Sequence, residues 1–457
     1  MFYDTMCGLT FFYVLTHIVA EGTMLVKVRS YTWSPMADPT PPNPFRISGI
    51  VEGEFFTDRT HEIARVARTL REPSAKLLVS GYRRMGKSST LARGVDKVND
   101  EGGHAILADF STASTVTDMA NNLLAAAGKT LGRRWKSLFT DLVGRFQASI
   151  KLTQDPSSGL TLPSLDVGLR QDPLAVQQAT LASVLDTLDA LAADRKTTLG
   201  IVLDEFQEIT RFGVGRERST GKTSDASRDD QPEWHLRGVM QRHQHLSYVL
   251  AGSKPALLAA MVGKNGAFYK MLDPYPFRPI PKDHMGAWID ERLAAVGLQS
   301  VGAGHWCIEW GGPRTRDIVR LARKCVDRAI PGATIDAAAV TAAFSEIVLD
   351  EEHAAVQTWW HRHSSQQQNL LRALAAEPLG PTTKEMRRRF SLDGGSTGNT
   401  LKSLVQAGDL IRSEYGSKHA FDDPFARGWV IAKALPDLGI RDKAITHVAT
   451  PTSEYDG

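Results

Sequence analysis

After Phe45 the chain alternates short apolar runs with longer stretches whose apolar residues recur every three or four positions. Leu77, Leu78 and Val79 in AKLLVS, the segment HAILADFS from His104, Ile201, Val202 and Leu203 in GIVLDEFQEI, and SYVLAG leading to Ser253 are runs of this kind. Their length suits strands buried on both faces, as in a parallel sheet. STLARGVDKVND, behind the first run, has the spacing of a helix. The order of helix, strand, helix, strand, helices, strand, strand up to about Asp273 predicts a three-layer α/β core over 43–273. Within it, Gln147 to Val167 alternates apolar and polar residues around Pro-Ser-Ser-Gly, which predicts an inserted β-hairpin. Gly213 to Pro232 carries Gly, Ser, Thr, Asp and Arg without any apolar period and reads as a mobile loop.

Beyond Asp273 the period becomes helical. KDHMGAWIDERLAAVG and RTRDIVRLARKCVDRAI predict a helical lid over 274–360. QQQNLLRALAAE, TTKEMRRRF and TGNTLKSLVQAGD, followed by LIRSEYGSKHAF, predict three helices and a hairpin over 364–433, the pattern of a winged helix, with a tail over 434–457. Residues 1–42 read as an N-terminal extension. GLTFFYVLTHIVA is as apolar as a signal-peptide core, but Asp4 stands where a positive charge belongs and no small-residue cleavage site follows. The run is also too short to span a bilayer. A start at Met24 or Met36 is the alternative reading, since MADPTPPNPF resembles an ordinary polar N-terminus.

Three Gly-Lys pairs invite a phosphate-binding reading: Gly86-Lys87, Gly128-Lys129 and Gly221-Lys222. A P-loop needs a second glycine five residues upstream so that consecutive backbone N–H groups turn toward one phosphate chain. Gly81 supplies it for the first pair, whereas Leu123 and Arg216 stand there for the others. GYRRMGKSS also lies between an apolar run and a helix, whose N-terminus adds free N–H groups and a positive dipole end. Gly81, Arg83, Arg84, Met85, Gly86, Lys87, Ser88 and Ser89 are thus the candidate nucleotide-binding residues, with Lys87 over the β- and γ-phosphates.

A hydrolysing P-loop protein needs a second strand end bearing carboxylates. Asp204 would share a Mg²⁺ shell with the Ser88 hydroxyl, and Glu205 would polarise the attacking water; the plain alternative is an acidic strand end facing solvent. Ser253, at the next strand end, either touches the γ-phosphate or water or is a turn serine. Arg314 and Arg316 in GGPRTRD either reach the phosphates from above or make salt bridges on a solvated helix.

Composition narrows the class further. A chain of 457 residues, 42% hydrophobic and 23% charged, is long enough for two or three globular domains. Its net charge of +3 gives no argument for a nucleic-acid partner, and Cys7, Cys307 and Cys325 form neither a disulfide framework nor a metal pair, which points to the cytoplasm and away from a membrane. His235, His243 and His245 lack a clear additional ligand for a metal.

NPF at Asn43, FTDRTHEI at Phe56, GYRRMGKSS, LDEFQEI, AGS at Ala251, FYKML at Phe268, GGP at Gly311 and DDPFARGWV at Asp422 together resemble the archaeal-type ATPases of the STAND/AAA+ group, from about Asn43 to Val430. The paired Arg83-Arg84 inside the loop is more specific than the generic P-loop motif. The resemblance implies an AAA+-like ATPase core, a helical lid, a C-terminal winged helix, ATP and Mg²⁺ as ligands, and an adenine bordered by residues around Val51 and Arg59. Two functions follow. One is a slowly hydrolysing ATPase switch that controls assembly with itself or a protein partner. The other is a DNA-binding ATPase that uses the winged helix as replication initiators do. STGNTLKSLVQAG, the would-be recognition helix, carries only Lys402, and the basic run Lys384, Arg387, Arg388, Arg389 sits on the preceding helix, so the switch is preferred.

Overall fold

A computed structural model of the chain describes residues 3–6, 9–20, 23–33, 43–51, 53–131, 150–154, 161–165, 173–213, 231–376, 384–392, 395, 397–412 and 419–435. Most of the loop between Gly213 and Pro232, and the tail after 435, lie outside these residues. Met1–Asn43 and Pro44–Gly457 are separate compact units. The first is an antiparallel sheet in which β2 (Leu9–Ala20) pairs with β1 (Tyr3–Met6) and β3 (Thr23–Trp33). The apolar run is therefore strand from Leu9 to Ala20, with Ala20 opposite Thr23.

Five parallel strands organise the second unit, in the order β10 (Asp273–Pro276), β4 (Lys76–Ser80), β9 (Leu246–Gly252), β8 (Leu199–Asp204), β5 (His104–Asp109). The alternation along each strand divides two cores. Leu77, Val79, Ala105, Val202, Val249 and Ala251 face α1 (Thr60–Arg71) and α2 (Lys87–Asp100). Leu78, Ile106, Ala108, Ile201, Leu203 and Leu250 face α3 (Val116–Leu131), α4 (Leu174–Asp194), α5 (Pro232–Arg242) and α6 (Pro255–Val262). Helices on both faces leave β8 and β9 buried along their whole length, as parallel pairing requires. The fifth strand, β10, is not among the strands expected from the sequence. Its sequence is DPYP, and prolines cannot donate to a ladder, so it reads as a turn; on a sheet edge, pairing on one side only with β4, they are tolerated. A separate hairpin joins β6 (Ile150–Gln154) and β7 (Thr161–Leu165).

The later elements share one apolar core. They are α7 (Lys282–Ala295), the short pair β11 (Gln299–Ser300) and β12 (Thr334–Ile335), α8 (Ala303–Gly311), α9 (Thr315–Arg328), α10 (Ala337–Glu346) and α11 (His353–His361). After them come α12 (Ser365–Ala376), α13 (Lys384–Arg389), α14 (Thr397–Ala407), the antiparallel pair β13 (Leu410–Arg412) and β14 (His419–Phe421), and α15 (Pro424–Trp429). Trp288, Ile318, Phe344, Leu374, Leu404, Phe425 and Trp429 belong to the same cluster, which Phe45 enters from the start of the unit. Phe45 is fully buried with its ring edge-on to Trp288 at 5.6 Å, a burial that contributes about 2 to 3 kcal/mol. Phe344 of α10 packs against Phe425 of α15 at 5.5 Å, which holds α15 on α10. Among the described residues no helix is long and apolar enough to cross a membrane.

Candidate functional site

The loop between β4 and α2 is shaped by two glycines with different causes. A Cβ on Gly81 would stand 2.8 Å from the Cβ and carbonyl oxygen of Phe277, the residue that follows β10, so the close approach of that edge strand excludes any side chain. Gly86 has φ +88°, a left-handed conformation that caps the start of α2 without a Cβ penalty. Lys87 opens α2 and folds back, its Nζ donating to the Tyr82 carbonyl at 2.6 Å. Burial lowers its pKa to about 8; Glu205 and Asp204 oppose that shift, while Arg314 and Arg83 add to it.

Across the sheet, β8 ends on Asp204, 3% exposed. The Ser88 hydroxyl donates to its Oδ2 at 2.5 Å and the Glu205 N–H to its Oδ1 at 2.9 Å. Burial raises the Asp204 pKa, so a cation beside it would relieve a real cost. A hydroxyl and a carboxylate are hard oxygen donors, the set that suits Mg²⁺. Glu205 stands at φ 52°, an unfavourable conformation for a residue with a Cβ, and its Oε2 accepts from the Ser253 hydroxyl at 2.7 Å and from the Gln207 amide. Gln207 is fully buried and its Oε1 accepts the Ser253 N–H at 3.2 Å, so one amide ties the ends of β8 and β9 together. Arg83 reaches the same Ser253 hydroxyl at 3.4 Å.

The start of α9 approaches the loop from the other side. The Arg316 N–H donates to the Arg84 carbonyl at 3.0 Å and the Thr315 hydroxyl to the Met85 carbonyl at 3.4 Å. Arg314, expected on a solvated helix under one reading, is instead 1% exposed, its guanidinium 4.4 Å above the Tyr82 ring and one nitrogen on Asp422. Arg316 reaches the Ile47 carbonyl at 3.2 Å. Arg84 bridges Asp423 at 3.0 Å and Asp317 at 3.4 Å. Burial pushes Asp317 up to about 6 even with that guanidinium beside it.

Val51, Arg59, Arg84, Met85, Gly86 and Ser89 line a cavity of about 170 Å³, whose far wall is Ile280, Met285, Trp288 and Val319. The Val51 N–H donates to the Ser89 hydroxyl at 3.1 Å. Arg59 lies under the loop, donating to the Met85 carbonyl at 3.2 Å and stacked on Phe277 at 4.2 Å. A larger open groove of about 430 Å³, lined by Ser183, Asp186, His235 and Arg242, contains none of these residues, so volume does not mark the chemistry. Within that region His243 is buried between Tyr248 at 2.6 Å and Asp186 at 2.8 Å.

The structure thus gathers Lys87, Ser88, Asp204, Glu205, Ser253, Arg83 and Arg314 around the loop, and sets Val51 and Arg59 at the adjoining cavity. Residue-by-residue reading missed Gln207, Asp317 and the partnering role of Asp422 and Asp423. Only Asp423 left a local signal, an Asp before Pro at a helix start; it caps α15 by accepting from Phe425 N at 2.9 Å and Ala426 N at 3.3 Å.

The parallel five-stranded sheet with helices on both faces, and the glycine loop joining a strand to a helix, define the fold of the P-loop AAA+ ATPases. The Walker-type ATPase PABY2304 of Pyrococcus abyssi shares it, with a TM-score of 0.53 at 17% identity over 82% of this chain and 96% of that one. Two proteins of Aeropyrum pernix are more distant. The ORC2 protein, in ADPNP-ADP complexes, has a TM-score of 0.45 at 14% identity over 86% of this chain and 93% of its own. The ORC1 protein, in complex with DNA, has 0.44 at 14% over 90% and 95%. No protein-family model and no curated protein sequence matches the chain.

Proposed function

We propose that this chain is an ATP-binding, slowly hydrolysing ATPase of the AAA+/STAND type, in which the bound nucleotide controls assembly with a second copy or a protein partner. In this reading 43–273 is the ATPase core, 274–360 a lid, 364–433 a winged helix, and the site of action is the cytoplasm. The observation that carries it is the convergence of three parts of the chain on one loop: Lys87 on the loop itself, Asp204 and Glu205 at the end of β8, and Arg314 on the lid beside Asp422 of the C-terminal segment. Adenine would occupy the cavity beside Val51, with the phosphates along Gly81 to Ser89. Mg²⁺, held by Ser88 and Asp204, would neutralise charge on the β- and γ-phosphates. Glu205 would orient water through Oε1, because Oε2 is already engaged by Ser253 and Gln207. The test is ATP turnover with and without Mg²⁺, beside mass by light scattering in ATP and in ADP. A Mg²⁺-dependent slow rate and a mass that differs between the two nucleotides are expected; identical masses overturn the assembly switch.

The Lys87 shift sets a pH dependence for binding. In the free protein Lys87 loses its proton near pH 8, and a phosphate chain on its Nζ favours the charged form. Affinity for ATP is therefore full below about pH 8 and falls above it, with proton uptake on binding between pH 8 and 9. Calorimetric titration in buffers of different ionisation enthalpy measures that uptake. Affinity unchanged from pH 7 to 9.5, without uptake, would place the phosphates away from Lys87.

A further inference from the structure

Arg314 is a buried guanidinium with partly unused donors. Nη2 holds Asp422, while Nε and Nη1 have no hydrogen-bond partner among the described residues. Leaving buried N–H groups of a cation unpaired is costly, and such groups mark a place where an acceptor belongs. The guanidinium lies over Tyr82, whose carbonyl holds Lys87, and it is near enough to Lys87 to disfavour the ammonium charge. It therefore faces the phosphate loop on one side and Asp422 on the other.

Carboxylates already outnumber the cations around the loop. Arg83, Arg84, Lys87 and Arg314 stand against Asp204, Glu205, Asp317, Asp422 and Asp423. An added phosphate finds no surplus positive charge there and competes with these carboxylates for the cations. Asp422 is the most replaceable. Its side chain is 26% exposed, so water can solvate it when released, whereas Asp204 and Asp317 are 3% exposed. The residue after it, Asp423, caps α15, and that helix packs on the lid through Phe425.

Resting on the nucleotide-site reading above, we propose that Asp422 determines how strongly the site prefers a nucleoside triphosphate over a diphosphate, by competing with the terminal phosphate for Arg314. A triphosphate supplies a dianionic acceptor to the unused donors and draws the guanidinium off the carboxylate; a diphosphate, one phosphate shorter, leaves the pair intact. Winning Arg314 from Asp422 costs affinity only for the triphosphate, and it frees the start of α15.

Two measurements on the full chain test this. In Asp422→Asn, affinity for a non-hydrolysable ATP analogue should rise about tenfold, the scale of one charge-assisted hydrogen bond, while ADP affinity stays within about twofold. Equal changes for both nucleotides, or none, overturn the proposal. In the parent protein, amide hydrogen exchange at Phe425 to Trp429 should accelerate with the ATP analogue and not with ADP. Equal protection in both states overturns it too, and this arm does not depend on the variant folding. If the parent binds neither nucleotide, the site reading itself fails and the proposal falls with it; binding of both without discrimination at Asp422 leaves the site reading standing and removes only this inference.

Discussion

Lys87→Ala is expected to lower ATP affinity by about a hundredfold or more, the largest single effect in the molecule. Lys87 is 6% exposed and its ammonium is set inside the loop by the Tyr82 carbonyl, so a bound phosphate gains a desolvated cation at no further ordering cost. Arg83 and Arg84 do not replace it, because the first is turned to Ser253 and the second to Asp317 and Asp423. The variant should fold. In the native chain burial makes Lys87 give up its proton near pH 8, well below the ordinary lysine range, so the buried cation opposes folding below pH 8 and its removal relieves that cost. Anisotropy of a fluorescent ATP analogue, beside a melting curve, checks both halves. An affinity within twofold of the parent in a folded variant would remove Lys87 from the phosphate site.

Glu205→Gln should keep nucleotide affinity and lose about a hundred- to thousandfold in turnover. The amide has the same shape, and the Ser253 hydroxyl can still donate to its oxygen at 2.7 Å, so the strand ends stay joined. What disappears is the basicity that orients water. Glu208, three residues on, is no substitute: burial pushes its pKa up, but Arg211 at 2.7 Å and Lys254 at 3.2 Å outweigh this and hold it below the ordinary value. Single-turnover hydrolysis with Mg²⁺ measures the loss directly. Parental turnover in this variant would require a base other than Glu205. An ATP-locked form is also the one in which light scattering should find the assembled state.

The core was legible because its cause is local. Leu77, Leu78 and Val79 point alternately to the two cores, and so do Ile201, Val202 and Leu203, which is what an unbroken apolar run means in a sheet covered on both sides. The spacing from Gly81 to Gly86 was legible for the same reason, although spacing alone does not say that Gly81 is needed because Phe277 presses on it. β10 was hidden by Pro274 and Pro276, whose local preference is for a turn, and only the edge of the sheet makes them acceptable in a strand.

By itself, then, the sequence determined the strands that carry the site, the loop between β4 and α2, and the carboxylates at the end of β8, all of which follow from alternation and spacing within a few residues. The tertiary structure decided which charges meet. Arg314 and Asp422 are 108 positions apart, and Arg84 and Asp423 are 339 apart. Backbone periodicity says which face a side chain occupies, but not which distant face it will oppose. That depends on one apolar core, running from Phe45 through Trp288 and Phe344 to Phe425, whose burial brings α15 down onto α10 and the two aspartates at its start onto Arg314 and Arg84.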